Sequence, residues 1–397
     1  MCLKLQQVHT DQDKPAQCIY NPHNSSRTLS AMTLNTTQPD EYDQQLEQKS
    51  TQLRELFQHY GPPDLEIYDS PREHYRMRAE FKIWQQGDSA SYAMFAPGEY
   101  KKPYLIKDFP VAAERINELM PTLLAEINRS ELLRQRLFSA EFLTTLKGEA
   151  LITLIYHKPL GDDWKTEAEQ VKTRLGIDII GRSRKQKLVL GQDFVTETLK
   201  VDGETFYYQQ VEASFTQPNA KVCEKMLDWA ADCTKGSTGD LLELYCGNGN
   251  FTIPLSRHFK QVLATEISKT SVNSAQYNFK LNHVENAQIV RMASEEFSQA
   301  MDKVRSFRRL QDIDLDSYEF STVLVDPPRA GVDEHTINII KRFDNIIYIS
   351  CNPQTLLRDL AAISDSHEIE RFALFDQFPY THHMEAGMLL RKKQTQM

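Results

Sequence analysis

Four residues in the second half of the chain have side chains able to do chemistry together: Cys351, Glu385, Asp326 and Glu266. A cysteine attacks as its thiolate. Cys351 precedes Asn352, a good helix N-cap, and Pro353, which suits the first helical position. The sulfur then sits at a helix N-terminus, where the dipole and outward-facing N–H groups favour the thiolate. The competing assignment is a small apolar side chain closing a buried strand, since cysteine is among the most buried residue types. Glu385 follows His382-His383-Met384 and reads as a general base. Paired histidines invite a metal ion, but neighbours on an extended chain point apart and no other His, Cys or Asp constellation completes a site. No metal is expected.

Glu266 has a different partner. Gly247-x-Gly249 lets the backbone approach a ligand closely, and Glu266 lies 19 residues past Gly247, near the spacing at which a carboxylate holds a ribose diol. Thr252 replaces the third glycine of the dinucleotide fingerprint, which disfavours NAD and suits a nucleoside without phosphates, such as S-adenosylmethionine. Asp326-Pro327-Pro328-Arg329 is a rigid turn ending in a cation rather than in an aromatic able to stack a base with an exocyclic amine. A ring carbon is the more natural methyl acceptor.

These residues need elements to position them. From Asp240 onward, strand-sized apolar runs alternate with helix-period segments: 240–245, 261–266, 287–290, 321–326 and 345–351, then a final strand at 388–390. That alternation predicts a doubly wound parallel sheet, with ligands outside the carboxyl ends of its strands. Upstream, helical spacing from about Asp40 and at 112–126 and 163–176 alternates with strands at 79–84, 91–95, 151–156 and 178–180. The fold class is α/β: a disordered leader over 1–39, an N-terminal α/β domain over 40–209, and a Rossmann-like doubly wound domain over 210–397. Arg182, Arg184, Lys185 and Lys187 form a local positive cluster, for which a solvated loop is the plainer account.

Composition narrows the class further. Forty-six basic against 55 acidic residues give a net charge of -9, so any nucleic acid must be held by local charge and shape. No run approaches the ~18 apolar residues of a membrane span, and the first residues lack a signal-peptide pattern. Six cysteines without a CxxC suggest a reducing cytoplasm. An NAD-linked oxidoreductase and a non-catalytic RNA-folding module remain as alternatives.

Five ordered motifs carry a resemblance over about 40–391: Phe215-Thr216-Gln217-Pro218-Asn219, Leu242 to Phe251, Asp326 to Arg329, Ser350-Cys351-Asn352-Pro353 and His382-His383-Met384-Glu385. The chain resembles the RNA uracil-5 methyltransferases. Phe375 to His383 and Tyr75-Arg76-Met77-Arg78-Ala79-Glu80-Phe81 resemble the form acting on bacterial tRNA. The resemblance implies methylation of carbon 5 of uridine 54 in the tRNA T-loop, with ribosomal RNA or a tRNA-like T-loop such as tmRNA as alternative substrates. It implies Cys351 as nucleophile, Glu385 as base, and Gln217, Tyr245, Asn250, Glu266 and Asp326 around S-adenosyl-L-methionine. Residues 75–82 and 182–187 and Phe138 are expected to meet RNA, and the protein is expected to be a cytoplasmic monomer.

Overall fold

The computed structural model describes residues 37–96 and 102–394. The expected leader lies outside the described residues as far as 36; Pro39–Glu41 forms a 3-10 turn leading into the helix Tyr42–Phe57. This helix buries Leu53 and Phe57 completely, each burial contributing about 1.5–3 kcal/mol.

Seventeen strands follow among the described residues. β1 (Leu65–Tyr68) comes first. β2 (Arg78–Gln86), β3 (Ser89–Phe95), β4 (Pro103–Ile106), β5 (Leu137–Thr144), β6 (Ala150–Tyr156), β7 (Asp178–Ser183) and β8 (Gln186–Leu190) build a seven-stranded sheet in the order β4-β3-β2-β5-β6-β7-β8. Here the chain departs from the plainer account of the basic cluster: residues 182–187 form the turn and flanks of the β7–β8 hairpin, not a loop. β9 (Phe194–Val201) and β10 (Glu204–Val211) pair as a separate hairpin through Asp202 and Gly203, both at positive φ, the geometry that a two-residue hairpin turn requires.

The second sheet contains β11 (Asp240–Leu244), β12 (Val262–Glu266), β13 (Ala287–Arg291), β14 (Phe320–Val325), β15 (Asn345–Ser350), β16 (His367–Phe375) and β17 (Glu385–Lys392), with β1 on its edge. Its order is β1-β16-β17-β15-β14-β11-β12-β13. β11 is parallel to both β12 and β14, so the strand order reverses there; β17 alone runs antiparallel to its neighbours. Residues 65–68, upstream of the first sheet in sequence, thus extend the second.

Side chains on successive residues of β11 point to opposite faces, and both faces are covered. Leu241 packs in a core with the helices Ala220–Thr234 and Lys269–Leu281. Leu242 and Leu244 join a second core with the helices Tyr42–Phe57, Glu334–Ile340 and Pro353–Ile363. The first core continues without a break into the seven-stranded sheet, through residues such as Phe81, Tyr92 and Phe142. Backbone pairing joins the same regions, Met77 N–H donating to Pro218 O at 2.8 Å.

Candidate active site

The carboxyl ends of β11, β12, β14 and β15 share one edge of the sheet, as the doubly wound topology requires. β11 ends in Tyr245, held at φ 63°, a conformation uncommon for a bulky residue. Its hydroxyl meets Ser294 Oγ at 2.6 Å, which ties the turn to the first residue of the helix Ser294–Met301. Gly247 then takes φ 58° and points its N–H at Glu266 Oε2, 3.1 Å away. Ser268 N–H donates to the other oxygen at 2.7 Å. Two fixed backbone donors therefore aim the Glu266 carboxylate from the end of β12, leaving lone pairs for a diol. Asn250 and Gln217 are half-buried. The Asn250 amide contacts Cys223 Sγ at about 3.5 Å, so it faces the helix Ala220–Thr234. Gln217 lies in the segment before that helix, beside the Pro218 carbonyl that receives Met77 N–H.

Among the four described cysteines, Cys223, Cys233 and Cys246 are buried and Cys351 alone is half-exposed. Burial pushes the Cys223 and Cys233 thiols up to about 12 and raises the Cys246 thiol well above its ordinary value, which keeps them neutral. Cys351 follows β15 directly. Asn352 caps the helix Pro353–Ile363, its side chain accepting from Gln354 N–H at 3.2 Å and donating to Arg329 O at 3.0 Å. One side chain thus fixes the sulfur's helix end against the Asp326–Arg329 turn.

Glu385 opens β17 and is buried. The antiparallel register ends at Ser350 paired with Ala386, so Cys351 and Glu385, the next residue on each chain segment, lie at the same end of the β15–β17 ladder. Burial raises the Glu385 carboxyl well above the carboxylate range, the charge of Asp326 raises it further, and Arg329 opposes both. Asp326 keeps some exposure, yet burial of its carboxyl pushes it up to about 7. The two acids sit in one electrostatic site, where like charges cannot both ionise cheaply. His383, with Nδ1 3.4 Å from an Arg329 amino group, is pushed down to about 4, by burial first and then by His382 and Arg329. It is neutral near pH 7.

Glu243 was not singled out by the sequence reading. It sits mid-β11, buried, and accepts from Thr252 Oγ1 at 2.6 Å; burial pushes it up to about 8. Its signal was a lone acid inside the apolar run Leu241-Leu242-Glu243-Leu244. Among the described residues no three His, Cys, Asp or Glu side chains gather as metal ligands, and no helix is long and apolar enough to cross a membrane.

On the seven-stranded sheet, Phe138 is 39% exposed and stacks on His157 with ring centroids 4.4 Å apart. Lys82 Nζ lies 4.4 Å from the Phe138 ring centre. Arg182 is neutralised by Glu212, through contacts of 2.5 and 2.6 Å, and Lys187 pairs with Asp193 at 2.8 Å.

Comparison with known proteins adds kinship to this geometry. Residues 41–393 match the model of the family described as tRNA (Uracil-5-)-methyltransferase. A Saccharophagus degradans protein named tRNA/tmRNA (uracil-C(5))-methyltransferase is 59% identical over 91% of this chain and 99% of its own. A Pseudomonas entomophila protein of the same name is 55% identical over 89% of this chain and 98% of its own. Among solved structures, the Pyrococcus abyssi tRNA (uracil-54, C5)-methyltransferase in complex with S-adenosyl-L-homocysteine superposes with a TM-score of 0.67 at 21% identity, covering 88% of this chain and 83% of its own. That likeness shows a shared fold.

Proposed function

The chain belongs to the tRNA (uracil-5-)-methyltransferase family, and from that premise we propose that it methylates carbon 5 of uridine 54 in the T-loop of tRNA through a covalent adduct at Cys351. The relatives' names add tmRNA as a second RNA with such a loop. Family membership removes the NAD-linked and non-catalytic alternatives. The carrying observation is the β15–β17 register, which brings Cys351 and Glu385 to the same end of one strand pair, with Asp326 close enough to raise the Glu385 carboxyl.

The residues at the sheet edge fit S-adenosylmethionine. Glu266, oriented by two backbone N–H groups, suits the ribose hydroxyls. Gly247, with nothing within 4 Å of where a Cβ would stand, leaves room for close approach. Gln217, Tyr245, Asn250 and Asp326 complete the proposed cofactor set. When bound, S-adenosylmethionine supplies an electrophilic methyl group for carbon 5.

Carbon 5 of uracil is a weak nucleophile. The Cys351 thiolate adds to carbon 6, and the electrons of the 5,6 double bond move toward the carbon-4 carbonyl, making carbon 5 nucleophilic. After methylation, Glu385 takes the carbon-5 proton. The double bond reforms and the sulfur–carbon 6 bond breaks, returning Cys351. Glu385 must be ionised to do this, so the proton held by the buried Asp326–Glu385 pair has to leave first.

Residue 54 lies within a folded RNA elbow, so the base is extruded at a cost of a few kcal/mol. Phe138, His157 and Lys82 offer a stacking platform with a cation beside it. We assign the seven-stranded sheet, within the 40–209 segment, to RNA recognition, and 210–397 to the methyl-transfer machinery. Incubation with undermodified tRNA and labelled cofactor, followed by nucleoside analysis, tests the reading. It expects label in 5-methyluridine at position 54; label at another base or position contradicts it.

A further inference from the structure

Residues 376–384 form no strand or helix between β16 and Glu385. An irregular run leading straight into the proposed base needs external support. Tyr42, Gln45 and Lys49, spaced three and four apart, share a face of the helix Tyr42–Phe57. Lys49 Nζ donates to Asp376 Oδ1 at 2.7 Å and to Phe378 O at 2.8 Å. The two charged side chains are 4% and 0% exposed, and 327 residues separate them. The Gln45 side-chain oxygen accepts from Tyr380 N–H, and the Tyr42 ring packs edge-on against Tyr380 at 6.1 Å. From the other side, Tyr75 OH donates to Pro379 O at 3.1 Å and Tyr380 OH to Arg72 O at 2.7 Å.

A buried ion pair contributes little net stability compared with an apolar replacement, because desolvation offsets the attraction. Geometry is the better account. One ammonium fixes two points of the run, nine and seven residues before Glu385. We propose that Lys49 is a positioning residue for the methyl-transfer reaction: paired with Asp376 and supported by Gln45, it sets the 376–384 turn and thereby the aim of Glu385 at the carbon-5 proton. The inference rests on the roles of Cys351 and Glu385 proposed above.

Lys49→Met, Lys49→Arg, Gln45→Ala and Glu385→Gln should be compared by tRNA methylation kinetics and by the amount of protein–RNA complex already carrying the methyl group. A misplacement of about 1 Å costs on the order of 10²-fold in rate. Lys49→Met is expected to lose about that in kcat, keep its KM for S-adenosylmethionine, and accumulate the methylated covalent complex. Lys49→Arg, which retains the buried charge, restores most of kcat. Gln45→Ala leaves the ion pair intact and shows the same stalled complex with a smaller loss, so a folding failure of Lys49→Met does not remove the test. Wild-type turnover in both Lys49→Met and Gln45→Ala, or activity falling only with the folded fraction and without a methylated complex, overturns the proposal. Glu385→Gln separates the two ideas: no stalled complex there overturns the base role itself, whereas stalling there alone overturns only the role of Lys49.

Discussion

In the proposed mechanism a half-exposed thiol attacks and one buried carboxyl, Glu385, removes the proton, with Asp326 acting on Glu385 through its charge. Cys351 differs from the other described cysteines by exposure, not by residue type, and its position at a helix N-terminus was legible from Asn352-Pro353 alone. The acid pair was less legible, because a raised carboxyl depends on neighbours that folding assembles. Its consequence is a pH profile. The proposed mechanism needs Glu385 as an anion, whereas burial and Asp326 raise its carboxyl well above the carboxylate range, so kcat should rise with pH until the proton leaves. Asp326→Asn removes the like charge and favours the ionised Glu385. The acid limb of kcat, measured at saturating cofactor, should therefore move to lower pH. Arg329→Gln removes the opposing cation and should move it upward. Limbs that stay in place in both variants contradict the coupling.

Strands and helices transmit constraints that single residues cannot. β11 holds Glu243 in its centre, where burial pushes the carboxyl up to about 8. The unfolded chain releases that proton near pH 4.5 and the folded chain near 8, so Glu243 favours the fold below about pH 4.5 and loses this contribution as pH rises to 8. Glu243→Gln should flatten the fall in unfolding free energy between pH 5 and pH 8, measured with denaturant; an unchanged slope contradicts this. The strands that lead into Glu266, Asp326 and Cys351 were readable because parallel strands buried on both faces give continuous apolar runs. β16 was missed. Glu368, Glu370 and Arg371 interrupt its first half, and one partner, β1, is a four-residue strand some three hundred positions upstream. The β9–β10 hairpin was missed despite a clear signal, Asp202-Gly203 between two β-rich runs. The Lys49–Asp376 contact has no local signature, since nothing in either segment names the other.

At the scale of the whole molecule, a net charge of -9 and internally paired cations such as Arg182 and Lys187 weigh against bulk attraction to phosphates. RNA affinity should vary shallowly with salt, with a logarithmic slope smaller in magnitude than about 3, whereas a slope near 6 or more indicates extensive phosphate contact. Phe138→Ala should weaken RNA binding by about 1–3 kcal/mol, the usual worth of one base–aromatic stack, with cofactor affinity unchanged; equal RNA affinity removes the platform assignment. The central claim, attack by Cys351 on carbon 6, is tested most directly with tRNA carrying 5-fluorouridine at position 54. Fluorine cannot leave as the proton does, so elimination is blocked after methylation. In the presence of S-adenosylmethionine, a denaturation-stable protein–RNA complex should form, map to the peptide containing Cys351, and vanish in Cys351→Ala. A complex mapped to another residue, or methylation of ordinary tRNA by Cys351→Ala, would contradict it.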